Sequence, residues 1–131
     1  MLSEPVRGSL PEASFFSLSG LDHLRAYMQG RMPATPLFRL MGFRITQASS
    51  GSTVIGQTIS PWFEVYDGFV DLTALAEQSV FVTALTAAPP GTYVRTVNLS
   101  LRYLRPCTVE DETVTARGIV GANSAPGSCQ K

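Results

Sequence analysis

The segment YDGFVDLTALAEQSVFVTALTAA, residues 66–88, decides the fold, because it is the longest apolar stretch and has the spacing of a helix. Asp67 is a suitable N-cap, and the prolines of APPG, residues 88–91, end the helix, so we predict a helix from about 67 to 88. At about 100° per residue, its apolar side chains fall on two sides. One side holds Leu72, Leu75, Ala76, Ser79, Val82 and Thr83, and the other holds Val70, Ala74, Phe81, Ala84 and Leu85. Such a helix must be covered on both sides.

Two carboxylates lie on this apolar helix. Glu77 falls within the second side, between Phe81 and Ala84, and Asp71 lies about a third of a turn away. Because the two acids point apart, a paired-carboxylate mechanism is not expected. For Glu77 a functional carboxylate and a buried structural acid are both open. For Asp71 a solvated or helix-dipole role is the favoured interpretation.

The elements around this helix are predicted from their periodicity. Residues 19–30 form a first helix that begins at Ser19 and ends at Gly30, with His23 expected as a surface residue. A helical turn and two strands follow over LFRLMGFRITQASSGSTVIGQTIS, with SSGS as the hairpin turn. After the long helix, TYVRTVNLSLRYLRPC alternates as a half-buried strand, and ETVTARGIV, residues 112–120, is a further strand. The order of elements predicts an α+β fold.

Composition excludes several classes of function. The chain has 131 residues, of which 44% are hydrophobic and 15% charged, which suits one domain. Ten basic and ten acidic residues balance, so neither nucleic acid nor an anionic membrane is an expected partner. Cys107, Cys129 and the single histidine are too few for a zinc site or a disulfide framework. We therefore expect no metal and no cofactor.

The two ends of the chain have the composition of irregular segments. Residues 1–18 are rich in Ser, Pro and Glu, predict a flexible arm, and lack the apolar core of a signal peptide. No stretch approaches the roughly 20 apolar residues of a membrane span. Residues 122–131 predict an unstructured tail. The expected organisation is one domain over residues 19–121 in a cytoplasmic protein.

From about Pro36 to Val120 the chain resembles the hotdog-fold thioesterases, in particular the phenylacetate-pathway and 4-hydroxybenzoyl-CoA thioesterase types. The resemblance rests on PLFRLMGFRI, LTALAEQSV, PPGTYVRTVNLSLRYLRP and ETVTARGIV, and NLSLRYLRP is its most specific part. It implies a curved antiparallel sheet wrapped around one long central helix. It also implies a homodimer, or a dimer of dimers, with active sites between subunits.

The resemblance further implies a hydrolase acting on an acyl- or aryl-coenzyme A thioester. Members of this family carry an acid on the central helix in a pattern like Leu-Ala-Asp, and LAE places Glu77 there. A carboxylate among apolar side chains suits the activation of water or attack on a thioester. The helix N-terminus, near Gly68 and Phe69, is the expected oxyanion site.

Other expected contacts to substrate come from five residues. Trp62 and Phe63 either belong to the core or line an acyl pocket, Arg102 and Arg105 are candidates for coenzyme A phosphates, and Asp71 is a candidate substrate contact.

The chain departs from the family in two places. The family's His-Gly-Gly or Gln-Gly-Gly motif is replaced by Gly68, Phe69 and Val70. The residues after TARGIV do not supply the family's final strand, so a truncated or atypical C-terminus is expected. Two alternatives therefore stay open: a hotdog protein that binds an acyl or acyl-CoA ligand without hydrolysing it, and an inactive structural subunit.

Overall fold

The computed structural model describes Leu10 and residues 17–121. The predicted arm over residues 1–18, apart from Leu10, Ser17 and Leu18, and the predicted tail over residues 122–131 lie outside the described residues.

The described chain contains three α-helices, one short 3-10 helix and six strands, in an α+β arrangement that confirms the predicted class. The helices are α1 (Gly20–Met28), α2 (Pro36–Met41) and α3 (Thr73–Thr86), and the 3-10 helix is Pro61–Phe63. The strands are β1 (Phe43–Ser49), β2 (Ser52–Thr58), β3 (Glu64–Tyr66), β4 (Phe69–Val70), β5 (Cys107–Thr108) and β6 (Thr113–Ile119). No helix in this part of the chain is long and apolar enough to cross a bilayer.

The larger sheet is antiparallel, in the order β1-β2-β6. The predicted hairpin joins β1 to β2 at Ser50 and Gly51, where Gly51 adopts a φ of 80° that favours glycine. Thr53, Ile55 and Gln57 alternate along β2 and are fully buried. The hydroxyl of Thr53 touches that of Thr83, so this face of the sheet lies under α3.

Helix α3 packs on this sheet with the side that the sequence predicts. Its buried residues are Leu75, Ser79, Val82, Thr83 and Thr86. Leu75 and Val82 join Ile45 and Ile55 in the main hydrophobic core. The predicted start of the helix is wrong: α3 begins at Thr73, not near residue 67.

The residues that precede α3 form a second small sheet instead of its first turns. Strands β3, β4 and β5 pair in that order, and Asp67 and Gly68 form the tight turn between β3 and β4 with φ angles of 51° and 79°. Two positive φ angles are typical of a type I′ hairpin turn, for which Asp-Gly is a preferred sequence. Val70 is therefore a core residue of this sheet, with Ile59 and Cys107, rather than part of the helix.

The predicted half-buried strand after α3 is not present. Residues 92–103 form no strand with any described residue. Val97 is 71% exposed and Tyr103 is 58% exposed, although both lie on the apolar side of the alternating pattern, with Leu99 and Leu101. The alternating pattern indicates that the apolar side chains of this segment would be buried. Within the described residues, however, no strand pairs with the segment. The described strands consequently form two three-stranded sheets, not one strongly curled sheet around α3.

Candidate functional site

A small apolar cavity lies between α1, α2, β1 and α3. Its volume is about 110 Å³, and it is partly open to the surface. Its walls are formed by His23, Leu24, Tyr27, Met32, Thr35, Phe38, Ile45, Gln78, Phe81, Val82 and Leu85. Most of these side chains are apolar, so the cavity suits an apolar group better than a cluster of water molecules.

The position of α1 against α3 fixes one wall of this cavity. Ser19 caps α1, with its hydroxyl accepting a hydrogen bond from the Asp22 backbone N–H at 3.2 Å. The next residue, Gly20, donates its N–H to the Ala88 carbonyl at 3.0 Å. A Cβ on Gly20 would overlap the Leu85 carbonyl, so only glycine allows this close approach.

Helix α2 closes the cavity from the other side. Thr35 caps it by accepting a hydrogen bond from the Phe38 backbone N–H, and Gly42 ends it with a φ of 69°. The ring of Phe38 packs edge-to-face on Tyr27 and on Phe43, with centroids 5.7 Å and 5.4 Å away. Such aromatic pairs fix the ring orientations and keep the wall rigid.

Four of the lining residues carry polar groups: His23 and Tyr27 from α1, Thr35 at the start of α2, and Gln78 from α3. Burial raises the pKa of the Tyr27 hydroxyl, and the nearby charge of Arg39 acts weakly in the opposite direction. Tyr27 is therefore a neutral hydroxyl at physiological pH. His23 was expected on the surface, but it is half-buried and lines the cavity, because the first turn of α1 faces α3.

Glu77 is not among the residues that line this cavity, but its neighbours in α3 are. It precedes Gln78 in α3 and stands one turn before Phe81, and residues at i and i+4 share a helix face. The side chain is half-buried, and no described residue makes a hydrogen bond or ion pair with its carboxylate. Within residues 17–121, no internal partner explains Glu77 as a structural acid.

Asp71 precedes the N-cap residue of α3, Leu72, and is hydrogen-bonded to the first residue of the helix. Its Oδ1 accepts hydrogen bonds from the Thr73 backbone N–H at 2.9 Å, from the Thr73 hydroxyl at 2.6 Å and from the Tyr103 hydroxyl at 3.3 Å. These bonds, above all those from Thr73, hold the pKa of the Asp71 carboxyl below its usual value. The favoured helix-dipole interpretation therefore fits its surroundings, and Asp71 is not among the residues lining the cavity.

The oxyanion site was placed at Gly68 and Phe69 because the helix N-terminus was predicted there, and that prediction of the N-terminus is wrong. Both residues belong to the β3–β4 hairpin, several residues before α3 begins. The Gly68 N–H donates to the Glu64 carboxylate at 2.6 Å, and the Gly68 carbonyl accepts from the Val109 N–H. These groups are used by the hairpin, since its Asp-Gly turn takes the place of the first turns of the predicted helix.

The remaining candidate residues are spread over the second sheet and the segment before it. Trp62 is largely exposed in the 3-10 helix, whereas Phe63 packs against the small core. Arg105 lies 3.9 Å from Asp111, and Arg102 is exposed. None of these four side chains lines the cavity.

The residues that sequence reasoning missed are those of α1 and α2. Their apolar spacing predicted helices, but the contacts between helices that create the cavity depend on Gly20 and on the Phe38 ring, which no local pattern reveals.

Compared with known proteins, the chain gives no match to a protein-family model, to a curated protein or to a solved structure.

Proposed function

We propose that this chain is a hotdog-type acyl-CoA thioesterase in which Glu77 is the working carboxylate. The observation that carries the proposal is the state of the Glu77 side chain: it is half-buried and has no hydrogen-bond or ion-pair partner among the described residues. The next residue in α3, Gln78, lines the apolar cavity. A carboxylate with no structural partner in a partly apolar setting is a candidate for chemistry. The resemblance of LTALAEQSV to the family's helix motif supports the same residue.

The proposed reaction is hydrolysis of a thioester. Glu77 accepts a proton from a water molecule as that water attacks the thioester carbonyl carbon. The tetrahedral intermediate then collapses, the carbon–sulfur bond breaks, and the proton passes to the departing thiolate. In a second form of the mechanism, Glu77 attacks the carbonyl itself, expels the thiol and forms an anhydride that water hydrolyses. Both forms need water and no cofactor.

We propose further that two copies of the chain associate. The segment 92–103 exposes Val97, Leu101 and Tyr103, and its backbone pairs with no described strand. An extended segment with unpaired backbone and apolar side chains is suited to pairing with another strand. A second subunit would cover these side chains.

A second candidate function is binding of an acyl or acyl-CoA ligand without hydrolysis. It is favoured by the hydrogen bonds already made at the two candidate positions for an oxyanion site: the Gly68 N–H in the β3–β4 turn donates to Glu64, and the Thr73 N–H at the start of α3 donates to Asp71. An oxyanion site needs free donors, and the negative charge of Asp71 opposes a developing oxyanion.

One experiment separates these candidates. Release of free thiol from a panel of acyl-CoA esters measures hydrolysis, and equilibrium dialysis of the same esters measures binding. Hydrolysis that exceeds the uncatalysed rate and saturates with ester supports the thioesterase. Saturable binding with no release of thiol supports the binding protein, and the absence of both contradicts both.

A further inference from the structure

We infer that the cavity between α1, α2, β1 and α3 is a binding site for one compact apolar group, of about the size of a benzene ring. In the proposed reaction, on which this part of the inference rests, that group is the acyl portion of the thioester. The site therefore selects short-chain, branched or single-ring acyl groups and rejects long ones.

The volume of the cavity sets the size of its occupant. Cavities of about 150 Å³ lined by Leu, Ile and Phe stay dry and take up benzene. The present cavity has a mostly apolar lining that also includes His23, Tyr27, Thr35 and Gln78, and it has a volume of about 110 Å³ with one side open. A single ring or a branched chain fills such a space, whereas a long alkyl chain leaves most of its carbon atoms outside.

The inner wall of the cavity cannot easily enlarge. Leu24, Phe38, Ile45 and Val82 are all buried members of the main core. Phe38 is held between two other rings, and α1 is fixed to α3 by the close approach of Gly20 to Leu85. Because packed cores do not yield without cost, a longer occupant would have to displace these contacts.

The polar groups of the lining set the orientation of the occupant. Gln78 and Phe81 are the lining residues nearest to Glu77 along α3. Within the proposed reaction, the apolar group would lie among Phe38, Ile45 and Val82 and its polar end near Gln78, the residue that follows Glu77 in α3.

Benzene itself is the probe for the first test, because its binding does not depend on hydrolysis. We expect saturable shifts of the methyl NMR signals of Ile45, Val82 and Leu85 as benzene is added to the whole chain. Val82→Leu adds one methylene group to the cavity wall and should weaken benzene binding by roughly 10- to 200-fold, the usual effect of one methylene in an apolar pocket. Val80→Leu makes the same change on α3 at a residue that does not line the cavity and should leave binding unchanged.

The second test uses thioesters of increasing size. Butanoyl, 3-methylbutanoyl and benzoyl esters should be hydrolysed at least about tenfold faster than the decanoyl ester. Phe81→Ala removes a half-buried part of the wall and should shift this preference toward longer chains. Circular dichroism and thermal unfolding check that each variant is folded.

The outcomes distinguish this inference from the proposed function. Benzene binding that Val82→Leu weakens and Val80→Leu preserves supports the site, even if no thioester is hydrolysed and the proposed reaction fails. Absence of methyl shifts up to the solubility limit of benzene, or equal binding by both variants, overturns the inference. Preference for the decanoyl ester overturns the size limit while leaving the thioesterase intact.

Discussion

The hydroxyl oxygens of Thr53 and Thr83 lie 2.6 Å apart in the core, where β2 meets α3. The Thr83 hydroxyl also contacts the Ser79 carbonyl, one turn earlier in the helix, at 2.6 Å and donates to it. Thr53 must then be the donor to Thr83, because each hydroxyl carries one proton. A directed chain of hydrogen bonds thus links the sheet to the helix in a region that is fully buried.

The direction of these hydrogen bonds predicts that two similar substitutions lower the free energy of unfolding by unequal amounts. Thr83→Val leaves the Thr53 hydroxyl buried without an acceptor and should lower the free energy of unfolding by about 1–3 kcal/mol. Thr53→Val leaves Thr83 its bond to Ser79 and should cost less, about 1 kcal/mol. Urea unfolding followed by circular dichroism measures both.

The double variant completes this comparison. With both threonines replaced by valine, neither hydroxyl is left buried without a partner. Because valine has nearly the shape of threonine, the double substitution should change the free energy of unfolding little. We expect the double variant to be more stable than Thr83→Val alone. If the two single effects simply add, the two hydroxyl groups are not coupled.

A second prediction concerns the contact between β6 and α3. A Cβ on Gly118 would overlap the Thr83 hydroxyl and lie 2.9 Å from the Ser79 carbonyl. Gly118→Ala should therefore destabilise the protein by at least about 1–3 kcal/mol, because α3 must move away from the sheet. Gly56→Ala is the matched control in β2, since its nearest contact would be the Arg44 guanidinium at 3.7 Å. A thermal shift of equal size for both variants would contradict the close approach at Gly118.

The periodicity of the sequence predicts much of the fold but not the surroundings of α3. The hairpin β1–β2, the strand β6 and the buried side of α3 agree with the predictions, because each follows from local spacing or turn chemistry. The start of α3 does not, since the turn-forming Asp67 and Gly68 compete with helix capping and favour a hairpin. For the segment 92–103, the alternating pattern indicates that its apolar side chains would be buried, but it does not indicate which part of the protein would bury them.

Some residues of the candidate site are likewise suggested by the sequence, and others are not. Glu77 is proposed from the sequence because it is an acid in an apolar helix, and the structure places its side chain half-buried in α3. His23, Tyr27 and Gln78 come together only through the packing of α1 on α3. Contacts between distant elements of this kind are not encoded in spacing along the chain, so no sequence pattern predicts the cavity.

The hydrogen bonds that Thr73 donates to the Asp71 carboxylate predict that the stability of the protein depends on pH. Hydrogen bonds from Thr73 lower the pKa of this carboxyl in the folded state, so its contribution is present above the unfolded pKa of about 3.9 and is lost as pH falls through the lower folded pKa. Asp71→Asn should therefore be less stable than the parent near pH 7, by under about 1 kcal/mol because the group is exposed, and the difference should shrink toward pH 3. Urea unfolding across this range measures it.

The Tyr103 hydroxyl provides a control for this effect. It is the weakest of the three hydrogen-bond contributions to the lowered pKa. Tyr103→Phe should leave most of the pH dependence in place, whereas Thr73→Val should remove a large share of it. A pH dependence that persists in Asp71→Asn would assign the effect to another group.

The exposed apolar residues of the segment 92–103 predict how the proposed dimer responds to charge. Val97→Glu places a carboxylate where the proposed partner would cover a side chain that is 71% exposed in the single chain. We expect the dissociation constant, measured by sedimentation, to rise by about tenfold or more, because burying an unpaired charge is costly. Trp62→Glu changes an equally exposed aromatic outside this segment and is the control. A chain that is monomeric at micromolar concentration before substitution would contradict the dimer.

The final prediction tests whether Glu77 acts in chemistry or in structure. Glu77→Gln keeps the size and shape of the side chain but can neither accept a proton nor attack a carbonyl. If Glu77 is the working carboxylate, hydrolysis per folded molecule should fall by about two or more orders of magnitude. Stability should change little, since no described residue bonds to the Glu77 carboxylate.

The opposite result has an equally clear form. If the Glu77 carboxylate is satisfied by a partner subunit and has only a structural role, Glu77→Gln should change the free energy of unfolding by about 1–3 kcal/mol and leave hydrolysis per folded molecule intact. Asp71→Asn is the matched control, because the Asp71 carboxylate is already hydrogen-bonded to Thr73, whereas no described residue bonds to that of Glu77. Loss of hydrolysis in Asp71→Asn with full activity in Glu77→Gln would move the reaction away from the cavity and to the start of α3.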